Sequence, residues 1–362
     1  GLNGLGSCAT QYASEYFDAV IHRDGFEYSL HFEKGENIGG LKKEPYSGRK
    51  TGSRFHWKPD LEVFTDINIP VEYYLDVMKR QAVVNAGVTF RFRNQIGTNR
   101  FETTDFKYEN GIVDYVAELA GQAPHTPIQF WTGERTGRDR PDKPDYKVKL
   151  SCAFCFCPAH HIIEHYHNSS WLEHGGAPEK AMRSAFLSAM DGWLKQNNKY
   201  NKNEAKITWP DVQETLIFVS NNFSTQTSYE NQTKKAVNNR FIQEGMTEFL
   251  REKLQIFLLE NPQAVEEAAR QILVSKRSRE AGEKARLSIK SKSLAGSVDI
   301  ANRVQKFVDC RTKEVARREL YIVEGDSALG SVKLGRDAEF QGIMPVRGKI
   351  LNCLKADYGK IF

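Results

Sequence analysis

Apolar and polar positions alternate along the beginning of the chain. Every second position from Phe26 to Phe32 is apolar, directly after an Asp-Gly pair, and the same alternation returns from Val88 to Phe92. A period of two predicts half-buried strands joined by tight turns. Between these strands, the apolar positions of Val71–Val84 recur at helical spacing. Residues 1–125 are therefore predicted to form an α+β unit.

The middle of the chain is predicted to combine strands with long helices. The four clearest elements are strands at Tyr146–Cys157 and Leu216–Ser220 and helices at Glu179–Leu194 and Asn238–Leu259. The polar stretch 132–145 is predicted to be a loop or linker, because its prolines remove hydrogen-bond donors and its charges resist burial. Asn261 and Pro262 supply a cap and a first-turn proline for a further helix.

The last part of the chain follows a small, polar stretch, 288–296, that is typical of a linker. Leu320–Val323 is a compact apolar run, which predicts a strand buried on both faces. This strand ends at Glu324, and open α/β sheets place their ligand sites at the carboxyl ends of strands. The expected division of the chain is 1–125, 126–292, a linker over 293–317, and an α/β domain over 318–362.

Composition and cysteine usage favour a cytoplasmic protein that does not cross a membrane. The 362 residues are 40% hydrophobic, which is enough for two or three domains with their own cores. The longest apolar runs are far shorter than the roughly 20 residues that span a bilayer. Six cysteines without framework spacing fit a reducing compartment. Since the chain opens without methionine or a signal peptide and stops without a tail, both ends are expected to be truncations.

A group of cysteines and histidines at short spacing raises the possibility of a zinc site. The group consists of Cys152, Cys155, Cys157, His160 and His161. The strand period places Cys152 on one face and the other two cysteines on the opposite face, so the three sulfurs do not converge without a bulge. Free cysteines that fill a sheet are therefore predicted.

The net charge of +5 is modest, but its distribution is uneven. Residues 270–292 contain eight basic residues and two acids. A cationic helix binds duplex DNA without regard to sequence, because it releases condensed counterions. Lys276, Arg277 and Arg279 are the predicted contacts, and a solvated helix face is the alternative.

The chain begins with a glycine-rich motif, followed by a helix-compatible stretch. Its six residues are Gly1, Leu2, Asn3, Gly4, Leu5 and Gly6. Glycines at this spacing let the backbone approach a phosphate, and amides at a helix start attract an anion. A flexible chain end is the alternative.

A second motif, Gln232-Thr233-Lys234, lies in a polar loop just before a long helix. The lysine can reach a terminal phosphate as a point charge, and the neighbouring amide can donate to the same oxygens. The alternative is a solvated pair of lysines, Lys234 and Lys235.

A third motif extends from Leu320 to Asn352. It places Glu324 at a strand end, before a Gly-Asp-Ser turn and the basic residues Lys333, Arg336, Arg347 and Lys349. A carboxylate beside several cations suits a Mg²⁺ ion held against a nucleic-acid phosphate, with the cations on the backbone. A surface salt bridge at Glu324 is the alternative.

These motifs resemble those of type IIA DNA topoisomerase B subunits, the gyrase B and topoisomerase IV B type. Gly1–Gly6 is similar to the lid motif GLHGVG of the GHKL ATPase fold, with Asn3 in place of histidine. Gln232-Thr233-Lys234 is similar to the QTK loop of the transducer domain. Residues 324–352 resemble the start of a TOPRIM domain, with Leu329 in place of a glycine of EGDSAGG. The motifs follow the family's order and spacing, so the resemblance covers the whole chain.

The resemblance implies an α+β and α/β multidomain protein. Residues 1–125 would be the C-terminal part of a GHKL domain, 126–292 a transducer of the ribosomal protein S5 domain 2-like fold, and 318–362 the start of a Rossmann-like TOPRIM domain. Residues 1–6, Gln232 and Lys234 would bind ATP, and Glu324 would be a Mg²⁺ ligand and an acid/base group in DNA cleavage. The implied DNA contacts are Arg347, Lys349 and Asn352.

The implied protein is an ATP-hydrolysing DNA topoisomerase, an isomerase, associated with the bacterial nucleoid. ATP binding would drive homodimerisation, and an A subunit carrying the attacking tyrosine would complete an A2B2 assembly. The family's upstream glutamate and downstream Asp-x-Asp lie outside the sequence, so the chain alone is expected to be inactive. The alternative is a non-catalytic DNA clamp or regulatory paralogue of the same fold. These motifs do not separate gyrase from topoisomerase IV, because that difference depends largely on the A subunit.

Overall fold

The computed structural model describes residues 4–121, 124–158, 161–294 and 306–346. The chain divides into two compact units, Gly1–Ser275 and Lys276–Phe362. Within the described residues, every helix is too short or too polar to cross a bilayer.

The first unit begins with a helix and an antiparallel sheet. Its elements are α1 (Leu5–Tyr12), β1 (Ser14–Arg23), β2 (Phe26–Glu33), β3 (Glu36–Asn37), β4 (Lys42–Pro45) and β5 (Gly52–Pro59). The strand order is β3-β2-β1-β5, and β4 also pairs with β2. Asp24 and Gly25 both have positive φ, at 54° and 77°, which is the backbone of a two-residue hairpin turn. The strand predicted from Phe26 to Phe32 is confirmed.

Two helices and a hairpin follow this sheet. They are α2 (Val71–Val84), β6 (Phe90–Gly97), β7 (Arg100–Phe106) and α3 (Ile112–Ala120). The helical spacing of the apolar residues predicted α2 with the bounds that the structure has. Its last three residues, Ala82, Val83 and Val84, are buried, because the C-terminal part of its apolar face joins the core of the next sheet.

The central sheet of the first unit has five strands in the order β11-β10-β12-β9-β8. The strands are β8 (Gln129–Gly137), β9 (Tyr146–Phe156), β10 (Ile162–His167), β11 (Ser170–Trp171) and β12 (Leu216–Ser224). Only β10 and β12 are parallel among these pairs of the described residues, and the other neighbours are antiparallel. The predicted strands at Tyr146 and Leu216 are confirmed.

Three long helices follow in the chain, as the sequence predicted: α4 (Ala177–Gln196), α6 (Arg240–Glu260) and α7 (Pro262–Leu294). A short helix that was not predicted, α5 (Trp209–Gln213), lies between α4 and β12. Pro262 opens α7 directly after Asn261, which confirms the predicted first-turn proline. Residues 288–294 of the stretch predicted to be a linker continue α7, and the rest of it lies outside the described residues. Residues 288–294 contain neither glycine nor proline, so no residue among them opposes a helix strongly.

The central sheet separates two hydrophobic cores. On one face, alternate residues of β9 such as Leu150, Cys152 and Phe154 pack with α4, α6 and α7. On the opposite face, Cys155 and Cys157 pack with α2 and α3. The predicted assignment of the cysteines to opposite faces is therefore confirmed, and all three carry free thiols.

The prediction of an irregular loop over 132–145 is wrong for its first half, because β8 continues to Gly137. Charges are tolerated there since β8 is the edge strand of the sheet, where Glu134 lies 3.0 Å from Lys147 of β9. Gly133 and Gly137 are packing positions and not turn residues. A Cβ atom at either glycine would lie within 3 Å of a ring of α6, Phe249 or Phe241.

The described residues of the second unit are 276–294, which belong to α7, and 306–346, which contain a parallel pair of strands. A 3-10 turn (Val315–Arg317) leads into β13 (Glu319–Glu324), α8 (Gly325–Gly335) and β14 (Gln341–Val346). The strand predicted over Leu320–Val323 is present, but its expected burial on both faces is wrong. Leu320 and Ile322 are 55% and 60% exposed, since one strand and one helix of the described residues pack against β13.

Candidate functional site

The described part of the glycine motif starts α1. Gly4 is the N-cap residue, with φ 62°, and no side chain caps the helix. A left-handed backbone of this kind favours glycine. Gly4, Leu5 and Gly6 are exposed, and the space around both glycines is open. The first amides of α1 therefore lack a side-chain cap and lie at the positive end of the helix dipole, which attracts an anion. Gly1, Leu2 and Asn3 lie outside the described residues.

Gln232 and Lys234 lie together on residues 225–239, which we call the lysine loop and which connect β12 to α6. Gln232 is exposed and Lys234 is half-buried. The Lys234 amide donates to the Asn231 carbonyl at 3.1 Å and closes a turn. Lys234 has φ 58°, an uncommon backbone for a residue with a side chain. Its ammonium lies 5.7 Å from the centre of the Tyr229 ring.

The beginning of the lysine loop is tied to β10. His167 Nε2 lies 2.8 Å from the hydroxyl of Ser224, and the Asn168 amide donates to the carbonyl of Ser224 at 3.1 Å and to the hydroxyl of Thr227 at 3.0 Å. Burial lowers the pKa of His167 to about 4, so the imidazole is neutral at neutral pH. The anchor at this end is therefore a set of neutral hydrogen bonds.

The returning part of the lysine loop is tied to α4. The Ala177 amide donates to the Val237 carbonyl at 2.7 Å, and Gly176 forms a bridge with Val237. Gly176 has φ 87°, and a Cβ atom there would clash with the Val237 carbonyl oxygen. Glycine is therefore required where the loop meets the first turn of α4.

The groups that anchor the lysine loop were not predicted from the sequence. They are His167 on β10, Asn168 in the turn after β10, Asp139 after β8, Tyr146 at the start of β9, and Asn239 before α6. Only Asn239 carried a local signal, because asparagine is common at the residue before a helix. The others are far apart in sequence, so only the folded topology brings them together.

Glu324 belongs to the second unit and ends β13. It is exposed and is also the N-cap residue of α8, and Gly325 beyond it has φ 76°. In the parallel pair, Glu324 is aligned with Val346, the last residue of β14. The carboxylate thus lies at the carboxyl edge of a parallel sheet, as the sequence predicted.

Of the four cations expected around Glu324, Lys333 and Arg336 lie among the described residues, and Lys333 is exposed. Arg336 donates to the carbonyl oxygens of Val308 and Asp309 at 3.3 and 3.1 Å and also to that of Gln341. These three bonds all involve Nη1, so this part of the guanidinium is held by the protein's own carbonyls, and the expected contact of Arg336 with a nucleic-acid backbone stays a prediction. Arg347, Lys349 and Asn352 lie outside the described residues.

The three predicted DNA contacts on α7 differ in exposure. The side chain of Lys276 is fully buried and its Nζ lies 3.0 Å from Glu280. The prediction of an exposed contact is therefore wrong for Lys276. Arg277 is exposed, and Arg279 is about one-third exposed, with its guanidinium 3.8 Å from Glu283.

The described residues bring together only part of the predicted site. Gln232 and Lys234 share one turn, whereas no hydrogen bond or ion pair of the described residues links the lysine loop to Gly4, Leu5 or Gly6. Nor do three or more described His, Cys, Asp or Glu side chains converge as a metal site would require.

Relatives of known identity align with the whole chain. The sequence model of the family described as DNA gyrase B matches residues 111–287. The B subunit of DNA gyrase from Chlamydia muridarum is 31% identical over all of this chain and 44% of its own length. The corresponding protein of Thermotoga maritima is 29% identical over all of this chain and 56% of its own length. The chain thus spans about half the length of these relatives.

Solved structures share the fold. The 43K ATPase domain of Thermus thermophilus gyrase B, solved with an aminocoumarin, superposes with a TM-score of 0.60 at 22% identity, over 79% of this chain and 75% of that one. The topoisomerase IV ATP-binding domain of Francisella tularensis, solved with a small-molecule inhibitor, gives a TM-score of 0.60 at 22% identity, over 76% and 73%. These structures share the fold alone, whereas the sequence comparisons identify a DNA gyrase B match over residues 111–287 and gyrase B relatives along the whole chain.

Proposed function

We propose that the chain is part of the B subunit of an ATP-dependent type IIA DNA topoisomerase. The observation that carries the proposal is the position of the lysine loop within residues 111–287, which match DNA gyrase B. The loop is tied to β10 and to α4, and it presents Gln232 and Lys234 on one turn. Donors held in place in this way can stabilise the charge of a phosphate.

The surroundings of Gly4 and Lys234 fit a triphosphate. Bound ATP would supply a terminal phosphate whose charge increases during hydrolysis. Lys234 would stabilise that charge and Gln232 would donate to the same oxygens, because donors fixed in advance stabilise a developing charge without reorganising. The uncapped amides of α1 would hold further phosphate oxygens, and Gly1, Leu2 and Asn3 would extend this contact.

Glu324 fits a hard cation, because exposed carboxylate oxygens at a strand end are ligands that Mg²⁺ accepts. Mg²⁺, when bound, would neutralise charge on the phosphate ester of DNA. Glu324 would also act as the acid/base group when the tyrosine of an A subunit attacks the backbone. Arg347, Lys349 and Asn352 would hold the DNA strand in place.

The proposed division of the chain follows these roles. Residues 1–125 would complete a GHKL ATPase domain, 126–292 would form the transducer that carries the lysine loop, and 318–362 would begin a TOPRIM domain after a linker over 293–317. ATP-driven dimerisation would close the two B subunits around DNA in an A2B2 assembly. A cytoplasmic, nucleoid-associated location follows from the DNA substrate.

The proposal is tested by reconstituting the full-length protein with its A subunit and measuring the linking number of closed circular DNA. We expect repeated changes of linking number with ATP and none with a non-hydrolysable analogue. If the protein instead retained DNA in the presence of nucleotide but left its linking number unchanged, it would be the non-catalytic clamp or regulatory paralogue of the same fold.

A contact between α7 and duplex DNA is tested by neutralising its two accessible arginines. The double variant Arg277→Gln and Arg279→Gln should weaken duplex binding equally for different sequences. The slope of log K against log salt should fall by about 0.9 for each phosphate that the protein no longer neutralises, and so by up to about 1.8. The measurement is a binding titration between low and moderate salt.

The matched control for the arginine pair is Lys34→Gln with Lys58→Gln. Lys34 lies in the turn between β2 and β3 and pairs with Glu62, and Lys58 lies on β5 and pairs with Glu15. The change in net charge is the same. An equal loss of slope in the two double variants would mean that total charge, and not α7, determines the affinity for DNA.

A further inference from the structure

The carboxylate of Asp139 is surrounded by donors from three parts of the first unit. Asp139 lies after the end of β8 and is half-buried. One oxygen accepts from the Phe241 amide at 2.9 Å and from the Tyr146 hydroxyl at 3.0 Å. The other accepts from the Asn239 side chain at 2.7 Å. Hydrogen bonds to an ionised carboxylate are about twice as strong as neutral ones, so this residue joins the three parts firmly.

Asn239 extends the same network into the lysine loop. Its side chain is buried, with the residue only 5% exposed. Its amide oxygen accepts from the backbone amide of Ser228 at 2.6 Å, while its nitrogen donates to Asp139 and to the Tyr146 hydroxyl at 3.1 Å. A second bond, from the Asn238 amide to the Ser228 carbonyl at 2.9 Å, closes the base of the loop. Lys234 lies between these tied positions.

Asp139 also replaces a missing cap of α6. Asn239 is the N-cap residue of α6, yet its side chain makes no capping bond to the helix. The Phe241 amide of the first turn is satisfied by Asp139 from another part of the unit. A negative group at this end is favourable to the helix dipole. The start of α6 and the base of the lysine loop are therefore fixed by the same carboxylate.

We propose that Asp139, acting through Asn239, is a positioning residue for Lys234. The proposal rests on the function proposed above, in which Lys234 recognises the terminal phosphate of ATP. Removing the carboxylate would leave buried donors on Asn239 and Phe241 without their partner, and such donors rearrange to find another. Lys234 is five residues from Asn239, so the loop would move with its base. A displacement of about 1 Å at a reacting group can cost on the order of a hundredfold in rate.

The test compares two nucleotides in the full-length protein, a non-hydrolysable ATP analogue and ADP, which lacks the terminal phosphate. Asp139→Asn keeps the size of the side chain but replaces one acceptor oxygen with a donor that faces the Asn239 amide. We expect the affinity for the analogue to fall about tenfold, as when a charge-assisted contact is removed, and that for ADP to change less than about twofold. Asp142→Asn, in the same turn with a carboxylate 3.5 Å from Arg140, is the matched control and should leave both affinities unchanged.

Combining the variants separates this proposal from the one on which it rests. In the Lys234→Ala protein, Asp139→Asn should have no additional effect on the discrimination between the two nucleotides, because both changes remove the same contact. If Lys234→Ala alone left the discrimination intact, the proposed function of Lys234 would fail. The positioning role of Asp139 would be overturned if Lys234→Ala removed the discrimination between the two nucleotides and Asp139→Asn alone left it intact. It would also be overturned if Asp139→Asn changed the discrimination further in the double variant.

A purely structural role for Asp139 predicts a different pattern. It would lower the affinities for the analogue and for ADP by the same factor, together with the melting temperature, and this result would also overturn the proposal. Should Asp139→Asn fail to fold, Tyr146→Phe removes a single hydroxyl that contacts both Asp139 and Asn239. That variant should shift the discrimination in the same direction by about two- to threefold, and an unchanged discrimination would count against the proposal.

Discussion

Replacing Lys234 with alanine in the full-length protein is expected to lower the rate of ATP hydrolysis about a hundredfold. Loss of one charged contact to a developing phosphate charge removes on the order of 3 kcal/mol of transition-state stabilisation. The backbone of Lys234 is already fixed in a left-handed turn, so little ordering remains when the nucleotide binds. The measurement is steady-state turnover of ATP at saturating nucleotide.

Lys235→Ala is the matched control for this prediction. Lys235 is adjacent, but its ammonium lies 2.5 Å from the carboxylate of Glu173, in a surface pair of the kind that contributes about 1 kcal/mol or less. Removing the Lys235 side chain should change ATP turnover less than about threefold, because its ammonium pairs with a carboxylate of the protein and not with the phosphate. A Lys234→Ala protein that kept turnover within about twofold of the parent would contradict the role assigned to Lys234.

Glu324→Gln is expected to abolish most DNA cleavage and religation in the protein reconstituted with its A subunit, by about a hundredfold or more. The change keeps the size of the side chain but removes the charge, and that charge is needed more in the transition state than in binding. DNA affinity and ATP turnover should be retained, because Glu324 lies in the second unit and Lys234 in the first. The measurement is a cleavage assay across a Mg²⁺ titration, alongside a DNA-binding titration.

Glu319→Gln makes the same chemical change at the opposite end of β13. Glu319 accepts a hydrogen bond from the Gln341 side chain at 2.8 Å and lies at the amino end of the strand, away from the edge where Glu324 ends it. This variant should cleave DNA normally. Undiminished cleavage by the Glu324→Gln protein at low Mg²⁺ would leave Glu324 as a structural acid without a catalytic role.

Patterns of single elements were predictable from the sequence. The bounds of α2 follow from apolar spacing alone, because a helix that covers a core must present one face to it. The opposite faces of Cys152 and Cys155 follow from the period of a strand. In both cases the prediction depends only on neighbouring residues in the sequence, and the packing of distant elements does not change it.

Features that depend on distant parts of the chain were not predictable. Gly133 and Gly137 lie in a stretch that was predicted to be a loop, and only the contact of Phe249 and Phe241 of α6 with β8 shows that they are packing positions. The residues of α7 change from apolar to basic along the helix, and this pattern does not indicate that the side chain of Lys276 is buried. Each error has the same cause, since packing between distant elements decides which side of a residue is covered.

The anchors of the lysine loop are a further example. Asp139 and Asn239 are separated by one hundred positions, so neither local spacing nor composition suggests that they meet. The motif Gln232-Thr233-Lys234 was recognised because it resembles a known loop. The network that supports it became visible only in the folded chain.

The two cores of the central sheet give the protein a pair of internal chemical reporters. Cys152 faces the core of α4, α6 and α7, whereas Cys155 faces that of α2 and α3. Burial raises the pKa of the Cys155 thiol to about 12 and also raises that of Cys152, so neither thiol reacts while its face is covered. A thiol reagent reaches each one only when the helices over that face detach. The order in which the two sulfurs become labelled therefore tells which layer of the protein opens first.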